Sequence, residues 1–166
     1  LDEAYAYFTG LGRKDLIPVM LKRPAGLFFE QGKFEQAVET YSRLIMADPN
    51  SAANPNYQDS IIAAYRRLGQ RDRVLDEIRR LRNDYGRKSA WWRANASDPK
   101  SQERADETIE KALRTTATDF NKEARELRKS RHPRADEAFQ AAVDAYYVYL
   151  EDYGADKNSY NVHYDF

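Results

Sequence analysis

The sequence predicts an all-α protein built from short antiparallel helix pairs. Apolar residues recur at steps of three and four, which places them on one side of a helix with 3.6 residues per turn. The seven glycines and six prolines lie mainly between these runs, where they end helices and form turns. With 42% apolar residues among 166, the chain has enough apolar side chains for a packed core.

Three apolar stripes with the helical period follow one another in the first half of the chain. They consist of Phe34, Ala37, Val38, Tyr41, Leu44 and Ile45; of Tyr57, Ile61, Ile62, Tyr65 and Leu68; and of Val74, Leu75, Ile78, Leu81 and Tyr85. The first stripe ends at an Asp-Pro-Asn run, the second at Gly69 and the third at Gly86, as expected for helix ends. We therefore expect short helices joined by tight turns.

An internal repeat relates these stripes. Gly32 and Gly69 are 37 residues apart, and each follows a large aromatic ring, Phe28 or Tyr65, by four residues. Such a period is typical of helical solenoids, whose units cannot bury their apolar faces alone. We predict one helical-repeat domain over 1–166, cut from a longer repeat protein. Its parts are repeats at 18–50 and 55–86, a connector at 87–100, an elongated variant repeat at 101–154, and the start of a truncated further repeat at 155–166.

The elongated repeat is predicted to contain two long helices. One runs from Ser101 to about Lys129, which is roughly 45 Å at 1.5 Å per residue. The other runs from Pro133 to Tyr153, because proline suits a first helical turn. The first of these must overhang its neighbour or pair with the second. In the first repeat, we expect Pro24 to kink its helix or to begin the last turns of that helix.

Residues 27–50, LFFEQGKFEQAVETYSRLIMADPN, resemble the tetratricopeptide repeat in their aromatic, glycine, aromatic, alanine and tyrosine positions and their closing Asp-Pro-Asn. The second repeat keeps Tyr65 and Gly69 but has Val74 and Ile78 where the family prefers a small residue and an aromatic one. The later part, with long helices and an LEDYG ending, is similar to tetratricopeptide proteins of the bacterial cell envelope, including those of outer-membrane assembly and myxobacterial gliding. The resemblance implies a right-handed solenoid, whose C-terminal half would contain the elongated helices predicted above, and it favours a periplasmic or cell-envelope location over the cytoplasm.

The resemblance also implies a binding surface for a protein or peptide. In this family the first helices of the repeats line a concave face. The positions in this chain that match that face and that we expect to bind a partner are Lys22, Arg23, Phe29, Asp59, Arg66 and Arg67. The Lys–Asn pair with which chaperone-binding members hold a terminal carboxylate is not carried over, because Gly26 follows Lys22 by four residues and Ser60 replaces the second asparagine.

Charge is balanced overall but not locally. Lys plus Arg and Asp plus Glu number 27 each, so no global field attracts nucleic acid or a membrane. Residues 66–88 carry nine basic and four acidic side chains, which fits internal ion pairs, an acidic protein partner or, least of the three, nucleic acid. Residues 135–166 carry seven acidic side chains and one lysine. The opposite sign allows copies of the chain to associate head to tail.

Trp91 and Trp92 predict one core residue and one surface residue. Adjacent positions on a helix lie about 100° apart, so both rings cannot face one core. A buried ring would cap the core between repeats. An exposed ring would be an aromatic anchor for a partner, since such residues dominate binding hot spots.

Residues typical of an enzyme, a metal site or a cofactor site are not present in the sequence. There is no cysteine, and His132 and His163 are 31 residues apart. Nucleophile elbows and phosphate-binding glycine loops are absent, and adjacent carboxylates such as Asp76 and Glu77 fit a solvated helix face. No apolar run is long enough to span a membrane. The lack of cysteine suits cytoplasm and periplasm alike.

Overall fold

The computed structural model describes residues 2–155, apart from the side chains of residues 2, 4 and 14. This part of the chain contains no strand, so the all-α prediction is confirmed. Its helices are α1 (Asp2–Gly10), α2 (Ile17–Glu30), α3 (Phe34–Ala47), α4 (Asn54–Arg67), α5 (Arg71–Tyr85), α6 (Ala90–Ala94), α7 (Pro99–Lys129) and α8 (Ala135–Tyr153), with a 3-10 turn at Lys14–Leu16. The start of a further repeat was predicted at 155–166, and all of this range after residue 155 lies outside the described residues.

Two compact units make up the described chain, and they divide between Asp106 and Glu107, inside α7. In the first unit, α2 packs on α3, α3 on α4, and α4 on α5. Three residues separate α2 from α3 and α4 from α5, which forces each pair to be antiparallel. The two predicted helix pairs are therefore present at the predicted places.

The turns inside these two pairs have the same backbone geometry. Gly32 and Gly69 adopt left-handed φ angles of 73° and 69°, which cost glycine nothing because it has no Cβ. After each glycine, the next amide donates back to the carbonyl of the ring residue five positions earlier: Lys33 to Phe28 at 2.8 Å, and Gln70 to Tyr65 at 3.0 Å. The 37-residue period of the sequence therefore corresponds to two copies of one helix-ending turn.

Helix α2 is continuous through Pro24. Proline lacks the N–H that would bond one turn back, yet the helix has already begun at Ile17 and ends at Glu30. Pro24 therefore lies inside the helix, about two turns before its end, and the expected kink stays a prediction. Pro18 lies in the first turn, where no intrahelical N–H bond is needed.

Apolar side chains from consecutive helices form the core of the first unit. Ile17, Leu21 and Ala25 of α2 pack with Leu44 of α3, and the rings of Tyr41 and Tyr57 lie 5.8 Å apart beside them. Further along, the buried apolar residues are Ile61, Ile62, Ala64, Val74, Ile78, Leu81, Tyr85 and Trp91. All of these except Ala64 and Trp91 come from the stripes that the sequence predicted.

The connector predicted at 87–100 is partly helical. It contains the short helix α6, whose first turn is capped by the Ser89 hydroxyl accepting from the Trp92 amide at 3.0 Å. Helix α7 begins at Pro99, two residues before the predicted start. Asp98 explains the difference, because its carboxylate accepts from the Ser101 amide at 3.2 Å and satisfies a donor of the first turn.

In the second unit, α7 and α8 form an antiparallel hairpin. Near one end, the Tyr149 hydroxyl donates to the buried Glu110 carboxylate at 3.3 Å. Near the other end, the Arg128 guanidinium stacks on the Phe139 ring at 4.5 Å. Helix α7 has 31 residues and α8 has 19, so α7 pairs with α8 but is much the longer of the two.

Helix α8 begins at Ala135, two residues after the predicted start. Arg131 takes a left-handed φ of 53°, and the amide of His132 donates to the Leu127 carbonyl at 2.8 Å. This closes α7 in the same way as Gly32 and Gly69 close their helices, with arginine in place of glycine. The turn uses the residues up to 134, and Pro133 therefore precedes α8.

Candidate protein-interaction surface

The residues predicted on α2 lie on different sides of the helix. Lys22 and Phe29 are seven residues apart and share one side, whereas Arg23 lies about 100° further round. Lys22 and Arg23 are exposed, and neither makes an ion pair with any residue between 2 and 155. Phe29 is half-buried and packs edge-to-face on Phe34 at 5.4 Å between ring centres. The ring therefore supports the turn and leaves part of its surface exposed.

On α4, Asp59 and Arg66 lie on one side, seven residues apart. Both are half-buried and each interacts with other groups of the chain. Arg67 is exposed in the last turn, and it has no ion-pair partner in the described part of the chain. Three of the predicted cations, Lys22, Arg23 and Arg67, thus present full charges to solvent.

The basic stretch at 66–88 is extensively paired with acidic residues of its own unit. Arg79 contacts Asp76 at 3.1 Å, and Arg80 contacts Glu77 at 3.2 Å. Arg87 reaches Asp106 at 2.7 Å. These pairs agree with the first interpretation of this stretch, internal ion pairs. They also leave fewer arginines available to bind the phosphate groups of a nucleic acid.

Glu77 is a buried carboxylate that joins the two helices of the second pair. Its side chain accepts from the Gln58 amide at 2.7 Å, and Gln58 is itself buried. A buried carboxylate is stable only when its oxygens are hydrogen-bonded. The link between Glu77 and Gln58 therefore fixes α4 against α5 and is structural.

The tryptophans separate as the helical geometry requires. Trp91 is 3% exposed, its ring packs edge-to-face on Tyr85 at 5.7 Å, and its indole N–H donates to the Ser51 carbonyl at 2.8 Å. Burial raises the pKa of the Tyr85 phenol. Trp92 is half-buried. Trp91 therefore lies in the core, and Trp92 is the ring left with a surface from which to act as an anchor.

A second basic surface, at the end of the α7–α8 hairpin, was missed by the sequence analysis. Residues 122–134 contain six Lys or Arg and two Glu, a denser cluster than 66–88, and a charge count in shorter windows would have found it. Along one side of α7 there is an open groove of about 380 Å³. Its described lining is Thr118, Asn121, Lys122, Arg125, Glu126 and Lys129. Lys122 and Lys129 make no ion pair with any described residue.

Metal-binding clusters are not found among residues 2–155. No group of three or more His, Asp or Glu side chains is placed to hold a metal ion there. His132 is exposed, and its Nδ1 accepts from the Arg134 amide at 3.2 Å, whereas His163 lies outside the described residues. Within the same range, no helix is both long enough and apolar enough to cross a membrane.

No protein-family model, curated protein or solved structure matches the chain. The tetratricopeptide assignment therefore stays a prediction from the residues at 18–86.

Proposed function

We propose that the first unit is a tetratricopeptide-type scaffold that binds an acidic segment of another protein, in a bacterial cell-envelope complex. The main support is the pair of helix–turn–helix units α2–α3 and α4–α5. They repeat the same glycine turn at the same distance after an aromatic ring, 37 residues apart. In right-handed stacks of such units, the first helices line a concave face.

The sign of the partner's charge follows from the cations on the first helices. Lys22, Arg23 and Arg67 are exposed and have no ion-pair partner among the described residues. Bringing carboxylates to these groups costs little, because no existing pair has to be broken. Phe29 is half-buried on the same side of α2 as Lys22, and it offers an apolar contact. An acidic segment with one apolar side chain fits this set.

Selection from a phage library of random short peptides tests the proposal directly. We expect the selected peptides to be rich in Asp and Glu. We also expect Lys22→Glu with Arg67→Glu to weaken their binding at least about tenfold, because two attractions become repulsions. Fluorescence anisotropy with a labelled selected peptide gives the dissociation constant.

The matched control is Lys88→Glu with Lys100→Glu, which makes the same charge change at two other exposed lysines of the first unit. The control should bind like the parent chain. Equal losses in both variants would mean that only net charge matters. Failure to select any peptide, or unchanged binding by the Lys22 and Arg67 variant, would contradict the proposed surface.

A structural role is the second candidate, and exposed apolar residues favour it. Val19 is 81% exposed and Leu27 42% exposed on the outward side of α2, and Met46 of α3 is 60% exposed. Such residues are what a face for stacking a further repeat would show. Met46→Ser should then lower the binding of an apolar dye and leave peptide binding unchanged. Loss of peptide binding would instead assign this side of α3 to the partner surface.

A further inference from the structure

The outward side of α8 carries an exposed aromatic residue between two acidic ones. Tyr147 is 63% exposed, and Asp144 and Glu151 are exposed three residues before it and four after it. These three residues point the same way, since steps of three and four return to one side of a helix. Helix α8 contains no basic residue at all, so this side of it is uniformly negative.

The groove on α7 is lined by three cations at the same spacing and by one acidic residue, Glu126. Lys122, Arg125 and Lys129 follow one another at steps of three and four, like Asp144, Tyr147 and Glu151. The outer pair spans seven residues on each helix, or about 10.5 Å. When the two helices run parallel, Lys122 faces Asp144, Arg125 faces Tyr147, and Lys129 faces Glu151. A tyrosine ring over a guanidinium or a lysine stem is itself a favourable contact.

The groove is not the side of α7 that its own α8 occupies. Arg128 contacts α8 through Phe139 and Asp136, and Lys129, as the next residue, lies about 100° further round. The exposed side of α8 is likewise the side turned away from its buried residues, Ala138, Ala142 and Tyr149. Within one hairpin, the groove and the acidic stripe therefore face outward in different directions.

We propose that the groove of α7 binds the Asp144–Tyr147–Glu151 stripe of a second copy of this chain. Each copy carries both halves, so copies can associate head to tail, with the groove of one copy on the stripe of the next. The occupant is assigned from two matches found in the same hairpin: opposite charge, and identical three-and-four spacing around an exposed ring. The contact involves the second unit only, so it is independent of the peptide surface proposed for the first unit.

Analytical ultracentrifugation of the complete chain tests this contact. We expect a reversible dimer at about 0.02 M salt, weakened about tenfold or more at about 0.5 M salt, where exposed charges are strongly screened. Lys122→Glu with Lys129→Glu should weaken the dimer at least about tenfold, as should Asp144→Lys with Glu151→Lys. Tyr147→Ala should weaken it without changing the salt dependence.

Mixing the two charge-reversed variants is the decisive arm. Each variant alone places like charges together, whereas in the mixture the groove of either variant meets a stripe of opposite charge on the other, so association should reappear. Lys122→Gln with Lys129→Gln is a milder pair in case a glutamate in the last turn of α7 disturbs the helix. Lys88→Glu with Lys100→Glu is the charge control and should dimerise normally.

Three results would overturn the proposal. They are a strict monomer at high concentration and low salt, a dimer that the groove variants leave unchanged, and a mixture of the two reversed variants that stays monomeric. Circular dichroism of every variant confirms that the helices remain folded.

Discussion

Replacing Arg131 by glycine should stabilise the α7–α8 hairpin by about 0.5–1 kcal/mol. The residue ends α7 with a left-handed φ of 53°, a conformation that costs a non-glycine residue about 1–2 kcal/mol. Its amide donates to the Arg128 carbonyl at 3.0 Å. Glycine keeps this backbone hydrogen bond and removes the strain.

The net gain is smaller than the strain because glycine also frees the unfolded chain. That entropy offsets about 0.4–1 kcal/mol. Arg131 is exposed and its side chain makes no hydrogen bond or ion pair with a described residue, so its removal breaks no polar interaction there. What remains is a gain of about 0.5–1 kcal/mol from the relief of strain.

Urea unfolding followed by far-ultraviolet circular dichroism and by tryptophan fluorescence measures this gain and localises it. Both tryptophans precede Asp106, so fluorescence reports the first unit, whereas circular dichroism reports all helices. The matched control is Lys111→Gly, an exposed lysine inside α7, where glycine should cost about 0.5–1 kcal/mol. Gly69→Ala, at a φ of 69°, should cost about 1 kcal/mol in the first unit. If Arg131→Gly destabilises the chain as Lys111→Gly does, the strain argument is refuted.

Two further predictions follow from the core and from the start of α7. Trp91→Ala should lower the free energy of unfolding by about 3–5 kcal/mol, because it leaves a cavity beside Tyr85, whereas Trp92→Ala should lower it by about 1 kcal/mol or less. The midpoints of urea unfolding show whether the two losses are equal or unequal. Hydrogen bonds from Ser101 lower the pKa of Asp98 below its ordinary 3.8. The charged carboxylate therefore stabilises the fold at neutral pH, and this stabilisation is lost as the pH falls through the lowered pKa. Asp98→Asn should therefore be less stable than the parent at about pH 7, with the difference closing below pH 3.8; a constant difference would contradict this.

Helix positions in the first unit could be predicted from the sequence because each signal is local. Gly32 and Gly69 mark turns that glycine makes at least cost, and the stripes between them follow the helical period whatever the neighbours are. The predictions failed at helix ends set by individual hydrogen bonds. Asp98 starts α7 two residues early, and the strained turn at Arg131 delays α8, although arginine carries no turn signal.

The candidate surfaces were predicted less completely. The sequence placed Lys22, Arg23 and Arg67 among possible partner contacts, and their exposure agrees with that role. Internal ion pairs were among the interpretations of 66–88, and Arg79–Asp76 and Arg80–Glu77 are local pairs three residues apart on one helix. The sequence could not say that Arg87 pairs with Asp106. Pairing with Asp106 joins residues 19 positions apart, and such a contact depends on how the helices pack.

By itself, the sequence determined that the described chain is helical, where the two glycine turns lie, and that only one of the two adjacent tryptophans can enter a core. These properties depend on periodicity and on the conformational freedom of single residues. The tertiary structure decided which tryptophan is buried, which cations are left without partners, and that the 122–134 cluster borders a groove on α7. These depend on distances between residues far apart in the chain, which local periodicity does not encode.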